Sequence, residues 1–207
     1  MATRQLDTIL AERQASDEAS DEASDEATKP PAVVLDLDET VLDNSPMAAT
    51  GVAECIDYTD WGDLWQRWVA AASAPLIPAA KAFLDHASAA GVAIYYVSNR
   101  STANLAATVE NLKRHGLPQA HADHVRLMGP PKTRRRAAIA KDHDIVMLVG
   151  DSLHDFDGVF ADATLADQRA AVKRRKAAFG RRFIVLPNAS YGSWQDAELS
   201  PAPVLAR

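Results

Sequence analysis

The residues best suited to chemistry are carboxylates placed just beyond apolar runs. Asp36 and Asp38, spaced i, i+2, follow Val33-Val34-Leu35, and Asp151 and Asp155 follow the apolar residues 145–150. A hydroxyl and an amide, Ser98-Asn99, follow Ile94-Tyr95-Tyr96-Val97, and an ammonium, Lys132, lies in Gly129-Pro130-Pro131-Lys132-Thr133. Converging carboxylates repel one another unless a cation sits among them. An all-oxygen set suits a hard ion, and Mg²⁺ takes one or two carboxylates and completes its shell with water and phosphate oxygens. Asp36 and Asp151 are the expected side-chain ligands. Ser98, Asn99 and Lys132 are expected to hold the remaining phosphate oxygens, and the positive charge would offset what develops during phosphoryl transfer. One acid of the Asp-x-Asp pair can attack phosphorus and form an aspartyl-phosphate. The other can give a proton to the leaving oxygen and later take one from water. A plain Mg²⁺-binding or phosphate-binding module would leave two of the acids without a task.

These groups meet only if the chain brings the ends of its apolar runs together. The β-branched runs read as buried strands at 33–35, 92–97, 125–128, 145–150 and 183–186. Helices are predicted over 3–15, within 60–69, over 79–90 ending at Gly91, and over 102–115 ending at Gly116. Two more are predicted near 134, capped by Thr133, and over 165–179, stopping at Gly180. Strands alternating with helices give an α/β fold with a mainly parallel sheet. The polar groups then collect at the carboxyl ends of the strands, where open sheets of this kind bind ligands. Residues 44–80 do not read as one crossover helix. Trp61, Trp65 and Trp68 share a helical face at i, i+4, i+7. Such a face most often packs against a core; here it could also wall a substrate pocket.

At 207 residues the chain holds one sizeable domain, and its net charge of −6 argues against nucleic acid as a partner. The clusters Arg134-Arg135-Arg136 and Lys173-Arg174-Arg175 read as solvated faces or as attraction for an anionic substrate. Cys55 is the single cysteine, which excludes an intramolecular disulfide and a structural zinc site built on cysteines. His121 and His124 lack further zinc ligands of suitable spacing, and His154 is expected to face solvent. Asn188-Ala189-Ser190 fits the glycosylation pattern, which chance supplies often. No run approaches the ~20 apolar residues of a membrane span. The first residues, Met1-Ala2-Thr3-Arg4-Gln5-Leu6, have no apolar stretch of the kind a leader carries. The expectation is a cytoplasmic protein or one whose leader has been removed. A Ser-Asp-Glu-Ala repeat fills 16–27, so residues 1–29 are expected to form an acidic helix or disordered extension ahead of a domain at 30–207.

Asp36-Leu37-Asp38-Glu39-Thr40, Ser98-Asn99, Lys132 and Gly150-Asp151-Ser152-Leu153-His154-Asp155 resemble the four motifs of the haloacid dehalogenase superfamily of phosphohydrolases. Residues 36–46, Trp65-Gln66-Arg67-Trp68-Val69, Tyr96-Val97-Ser98-Asn99-Arg100 and residues 178–194 further resemble the class C nonspecific acid phosphatases, the lipoprotein e family of bacteria. The resemblance covers residues 32–197. It implies a Rossmann-like haloacid dehalogenase fold with a small helical, aromatic-rich, cap-like insertion at about 44–80, after the first motif. It implies Asp36 as nucleophile, Asp38 as general acid/base, and Mg²⁺ held by Asp36, Asp151 and the main-chain carbonyl of Asp38. Asp155 and Thr40 would support the site, and Ser98 and Lys132 would bind phosphate. The implied substrates are small phosphomonoesters, notably nucleoside 5′-monophosphates, whose bases would stack on aromatics; by position these are Trp65 and Tyr191. A narrower sugar-phosphate phosphatase of the same superfamily is an alternative, as is a non-catalytic surface or interaction protein on the same scaffold. Retention of both Asp36 and Asp38 speaks against the latter. Members are typically periplasmic, secreted or lipid-anchored to the membrane, and often homodimers. This sequence departs in showing no leader and no lipidated N-terminal cysteine, in its acidic repeat, and in the Gly-Pro-Pro-Lys loop around Lys132.

Overall fold

The five apolar runs become the strands β1 (Pro31–Leu35), β2 (Ala93–Val97), β3 (Val125–Arg126), β4 (Asp144–Gly150) and β5 (Phe183–Val185). In the computed structural model, which describes residues 1–20, 28–57, 60–188 and 190–191, they form one sheet in the order β3-β2-β1-β4-β5. Every strand pairing is parallel. Residues 21–27 of the acidic repeat and Trp194 lie outside the described residues. The expected α/β fold with a parallel sheet flanked by helices is the one observed.

A strand covered on both faces needs apolar residues at successive positions, which is why β1 carries no polar alternation. Its even and odd residues feed two cores. Val33 and Leu35 join Ile94, Tyr96, Met147 and Val149 on one face, against Phe83, Leu84 and Ala87 of α4 (Ala80–Ala89) and Leu112 of α5 (Leu105–Arg114). Ala32 and Val34 join Tyr95, Val97 and Leu148 on the other, against Ile139 of α6 (Lys132–Ile139) and Ala171 of α7 (Leu165–Arg174). The chain leaves β1 toward β2 on one side, and β4 later adds on the opposite side. The loops after β1 and β4 therefore diverge, and a crevice opens where they part. Asp36 and Asp151 are the first residues beyond these two strands.

Residues 44–80 do break into two helices, α2 (Ser45–Ala53) and α3 (Gly62–Ala71). The N-terminal helix α1 (Ala2–Ser20) runs further than the predicted 3–15 and takes in the start of the acidic repeat. It does not stand off the domain: Leu6 and Ile9 are buried in the first core, and Asp7 contacts His86 of α4 at 2.6 Å. Arg13 pairs with Asp144 and Glu12 with Arg181.

Local boundaries differ from expectation where tertiary contacts decide them. The helix predicted near 134 starts at Lys132 with Pro131 before it, and Thr133 makes no capping bond. The basic helix stops at Arg174, not 179; Ala178 N–H bonds Arg175 O, and the chain turns through Gly180 at a φ of +77°. Only two residues of the third strand pair with β2. No helix among the described residues is long and apolar enough to cross a membrane.

Candidate active site

The turn after β1 separates its two acids. Asp36 N–H continues the ladder to Val149 O at 2.9 Å, and the backbone then closes on Leu37 O, which accepts from Val41 and Leu42 at 2.8 Å each. Glu39 sits in the left-handed region at a φ of +59°. The Asp38 side chain takes its own set of partners within the same cleft. Arg100 reaches it with Nη2 at 2.7 Å and Nε at 3.0 and 3.1 Å, Asn44 Nδ2 at 3.0 Å, and Ser98 Oγ at 3.2 Å. Asn44 is fully buried and spends its whole amide here. It also donates to Glu39 and accepts from Trp68 Nε1 at 2.7 Å.

Asp36 belongs to a different group. One carboxylate oxygen from each of Asp36, Asp151 and Asp155 lies within 4.8 Å of the others. Lys132 Nζ sits 2.7 Å from Asp36 Oδ1 and 2.5 Å from Asp155 Oδ1. Asp36 Oδ1 is buried, and the Lys132 ammonium is its ion-pair partner. Burial lifts the Asp36 carboxyl well above the usual carboxylate range; Lys132 opposes this, and Asp155, Asp151 and Asp38 add to it. Burial works to lower the Lys132 ammonium, but the charges of Asp36 and Asp155 hold it above its ordinary value. Asp155 is already spent: Oδ2 accepts from Ser152 N–H at 2.9 Å, and a Cβ on Gly150 would fall 2.4 Å from its side chain. Asp151 is oriented by Thr40 Oγ1 at 3.0 Å and by Asn188 Nδ2 at 2.8 Å. The donor set is oxygen only, its negative charge exceeds what one ammonium offsets, and it therefore fits a hard divalent cation.

Around the acids lies a cleft of ≈ 540 Å³. Ser98, Asn99 and Lys132 line it, as do Met47, Trp61, Trp65 and Tyr191. The three expected phosphate-binding groups thus meet the acids. The tryptophan face divides: Trp61 and Trp65 border the cleft, whereas Trp68 holds Asn44 and packs on the core. Gly51 lets the Trp61 indole approach α2 closely, since a Cβ there would fall 2.6 Å from the ring. Trp65 also faces Arg100, whose guanidinium carbon is 5.6 Å from the ring centroid. Tyr191 donates to Glu39.

A family model described as HAD superfamily, subfamily IIIB (acid phosphatase), matches residues 2–194. The chain belongs to this family of acid phosphatases. Two solved structures from Bacillus anthracis are similar to the phosphatase over nearly all of its length. A class C acid phosphatase shares 40% identity, with a TM-score of 0.77 over 95% of this chain and 81% of that one. A class C acid phosphatase with tungstate bound shares 37%, with a TM-score of 0.75 over 99% and 86%. The phosphatase is a phosphomonoesterase, and the fold resemblance drawn from its motifs holds. Phosphatases of this superfamily use a divalent cation, which the acidic cluster suits.

Several site residues escaped sequence reasoning. Arg135 and Arg136, in a cluster that reads as a solvated face or as attraction for an anionic substrate, are each 7% exposed. Arg136 reaches His154 O at 3.3 Å, and Arg135 reaches the Ser98 loop. His154 is half-buried rather than solvent-facing, with Nε2 at 2.9 Å from Phe160 O. Asn188, whose tripeptide fits only a glycosylation pattern, holds Asp151. Arg100 lies in the motif at 96–100, where the residue pattern assigns it no role. A basic residue next to Ser98-Asn99 was the one available signal. His121 and His124 stack edge to face, and His124 Nδ1 is taken by Ile94 O at 2.6 Å.

Proposed function

We propose that this phosphatase hydrolyses phosphomonoesters, nucleoside 5′-monophosphates among them, through an aspartyl-phosphate on Asp36, with Mg²⁺ as its cation. The observation that carries the reading is the separation of the two acids. Asp36 lies among Lys132, Asp151 and Asp155, while Asp38 is held by Arg100, Asn44 and Ser98. Asp36 and Asp151, with the Asp38 carbonyl, would hold Mg²⁺, which when bound neutralises the carboxylates and the phosphoryl oxygens. Asp36 attacks phosphorus as the ester oxygen departs, and Asp38, which enters this step as the carboxylic acid, gives that oxygen its proton and becomes a carboxylate. Asp38 then takes a proton from water, which attacks the same phosphorus and frees Asp36 and inorganic phosphate. Lys132, Ser98 and Asn99 hold the phosphoryl oxygens. Arg100 and Asn44 fix the Asp38 carboxylate so that a leaving oxygen meets it in one geometry.

Support for a nucleotide comes from the cleft, whose size suits a small ligand. Its aromatic wall of Trp65 and Tyr191 offers π-faces to a base. The relative that binds tungstate, a tetrahedral oxyanion, supports the oxyanion reading.

The test is turnover of nucleoside monophosphates, sugar phosphates and an aryl phosphate, with and without Mg²⁺, beside Asp36→Asn and Trp65→Ala. Phosphate release should require Mg²⁺ and vanish in Asp36→Asn. Trp65→Ala should raise KM for nucleotides about tenfold, the scale of one base stacked on a ring, and leave the aryl ester little changed. Turnover surviving in Asp36→Asn would remove the nucleophile assignment. Release from sugar phosphates alone would favour the narrower phosphatase, and equal losses in Trp65→Ala would make that ring a packing residue.

A further inference from the structure

Arg135 lies one turn beyond Lys132 on α6, and its guanidinium is buried behind the Ser98-Asn99 loop. Nη1 donates to the carbonyls of Ser98 at 2.6 Å, Leu127 at 3.0 Å and Arg126 at 3.1 Å. Nη2 donates to Asn99 Oδ1 at 2.6 Å. A guanidinium has donors and no acceptor. The atom that Asn99 turns toward Arg135 is therefore its oxygen, and the amide nitrogen takes the other corner. Asn99 is exposed and lines the same cleft as Lys132 and Asp36.

We propose that Arg135 is a positioning residue for phosphate binding. It fixes the Asn99 amide with its N–H groups toward the cleft. The inference rests on the reading of Asn99 as a phosphate donor. An unclamped amide can present either face, and its oxygen would repel a phosphate dianion. Lysine cannot take the place of the fork. Its single ammonium cannot span three carbonyls and an amide oxygen in fixed geometry.

The test is inhibition by inorganic phosphate, measured as Ki beside thermal melts, for wild type, Arg135→Lys, Asn99→Ala and the double variant. Asn99→Ala should raise Ki about tenfold, the scale of one hydrogen bond to a charged group. Arg135→Lys should raise it several-fold, and the double variant should bind phosphate no more weakly than Asn99→Ala alone. Additive losses, or a lower melting temperature with Ki unmoved in Arg135→Lys, would make Arg135 a purely structural residue and overturn the inference. An unchanged Ki in Asn99→Ala would remove the Asn99 reading itself, and the inference with it. Should Arg135→Lys fail to fold, Asn99→Asp decides. A carboxylate keeps the bond to Arg135 but offers the cleft no donor, so the variant should melt no lower and bind phosphate more weakly than Asn99→Ala. Phosphate binding equal to wild type in Asn99→Asp would overturn the proposal.

Discussion

Glu39 combines a left-handed backbone with a carboxyl pushed up to about 7 by burial. Its bonds from Asn44 work the other way, and the charges of Asp38 and Asp151 reinforce the rise. In the unfolded chain the same group titrates near 4.5. Between those values the folded protein binds the extra proton, so stability falls as pH rises. The contribution is whole below pH 4.5 and lost as pH climbs through about 7. Denaturant melts of the metal-free protein should show this decline, and Glu39→Gln, of like shape and without charge, should flatten it. An identical pH slope in the variant would show that Glu39 does not titrate in that window. Asn44 explains why so many acids tolerate one turn: its amide binds Asp38 and Glu39 together while its oxygen takes the Trp68 indole N–H.

Helix α6 does more than cross between strands. Lys132 reaches the loop after β1, Arg135 the loop after β2, and Arg136 the loop after β4, while Ile139 anchors the helix in the core beneath. Three loops that diverge from the sheet are thereby held in register by one rigid element. Helix α1 contributes differently, through apolar burial remote from the cleft. Leu6 is fully buried against the first core. Leu6→Ala should cost about 2–5 kcal/mol, the range for truncating a buried leucine, with turnover per folded molecule unchanged. Denaturant melts and active-site titration separate the two effects. A loss under about 0.5 kcal/mol, the size of an ordinary surface substitution, would show that α1 is an appendage.

Across the whole molecule, negative charge prevails, with a formal net of −6. Attraction for a phosphate dianion is therefore local. Lys132 lines the cleft and Arg100 backs it, both largely buried among acids that consume much of their charge. A divalent cation would turn the balance. Binding to the folded state alone stabilises it by about 2.7 kcal/mol at a hundredfold excess over Kd. Mg²⁺ should raise the melting temperature of the wild type, EDTA should reverse the rise, and Asp151→Asn should abolish most of it. An equal rise in Asp151→Asn would place the stabilising ion elsewhere, for instance on the acidic repeat at 16–27.

The α/β plan, the strand that begins it and the acids at the strand ends are legible in the chain alone. These are written in local pattern: apolar runs long enough for buried strands, glycines after helices, and carboxylates just past the runs. Residue type and spacing also pointed to Asp36, Asp38, Ser98, Asn99, Lys132, Asp151 and Asp155 before any contact was known, and the structure gathers all seven around one cleft. That Asp36 and Asp38 keep separate company follows from the fold, because it depends on Arg100 and Lys132 arriving from elsewhere in the chain. The burial of Arg135 and Arg136 is likewise a property of the fold. A basic run has the same local pattern on a solvated face as behind a loop of free carbonyls, and burial follows from what the fold lays across it. The same holds for Leu6, whose helix shows little apolar periodicity and is recruited by the hydrophobic surface that the sheet and α4 leave open.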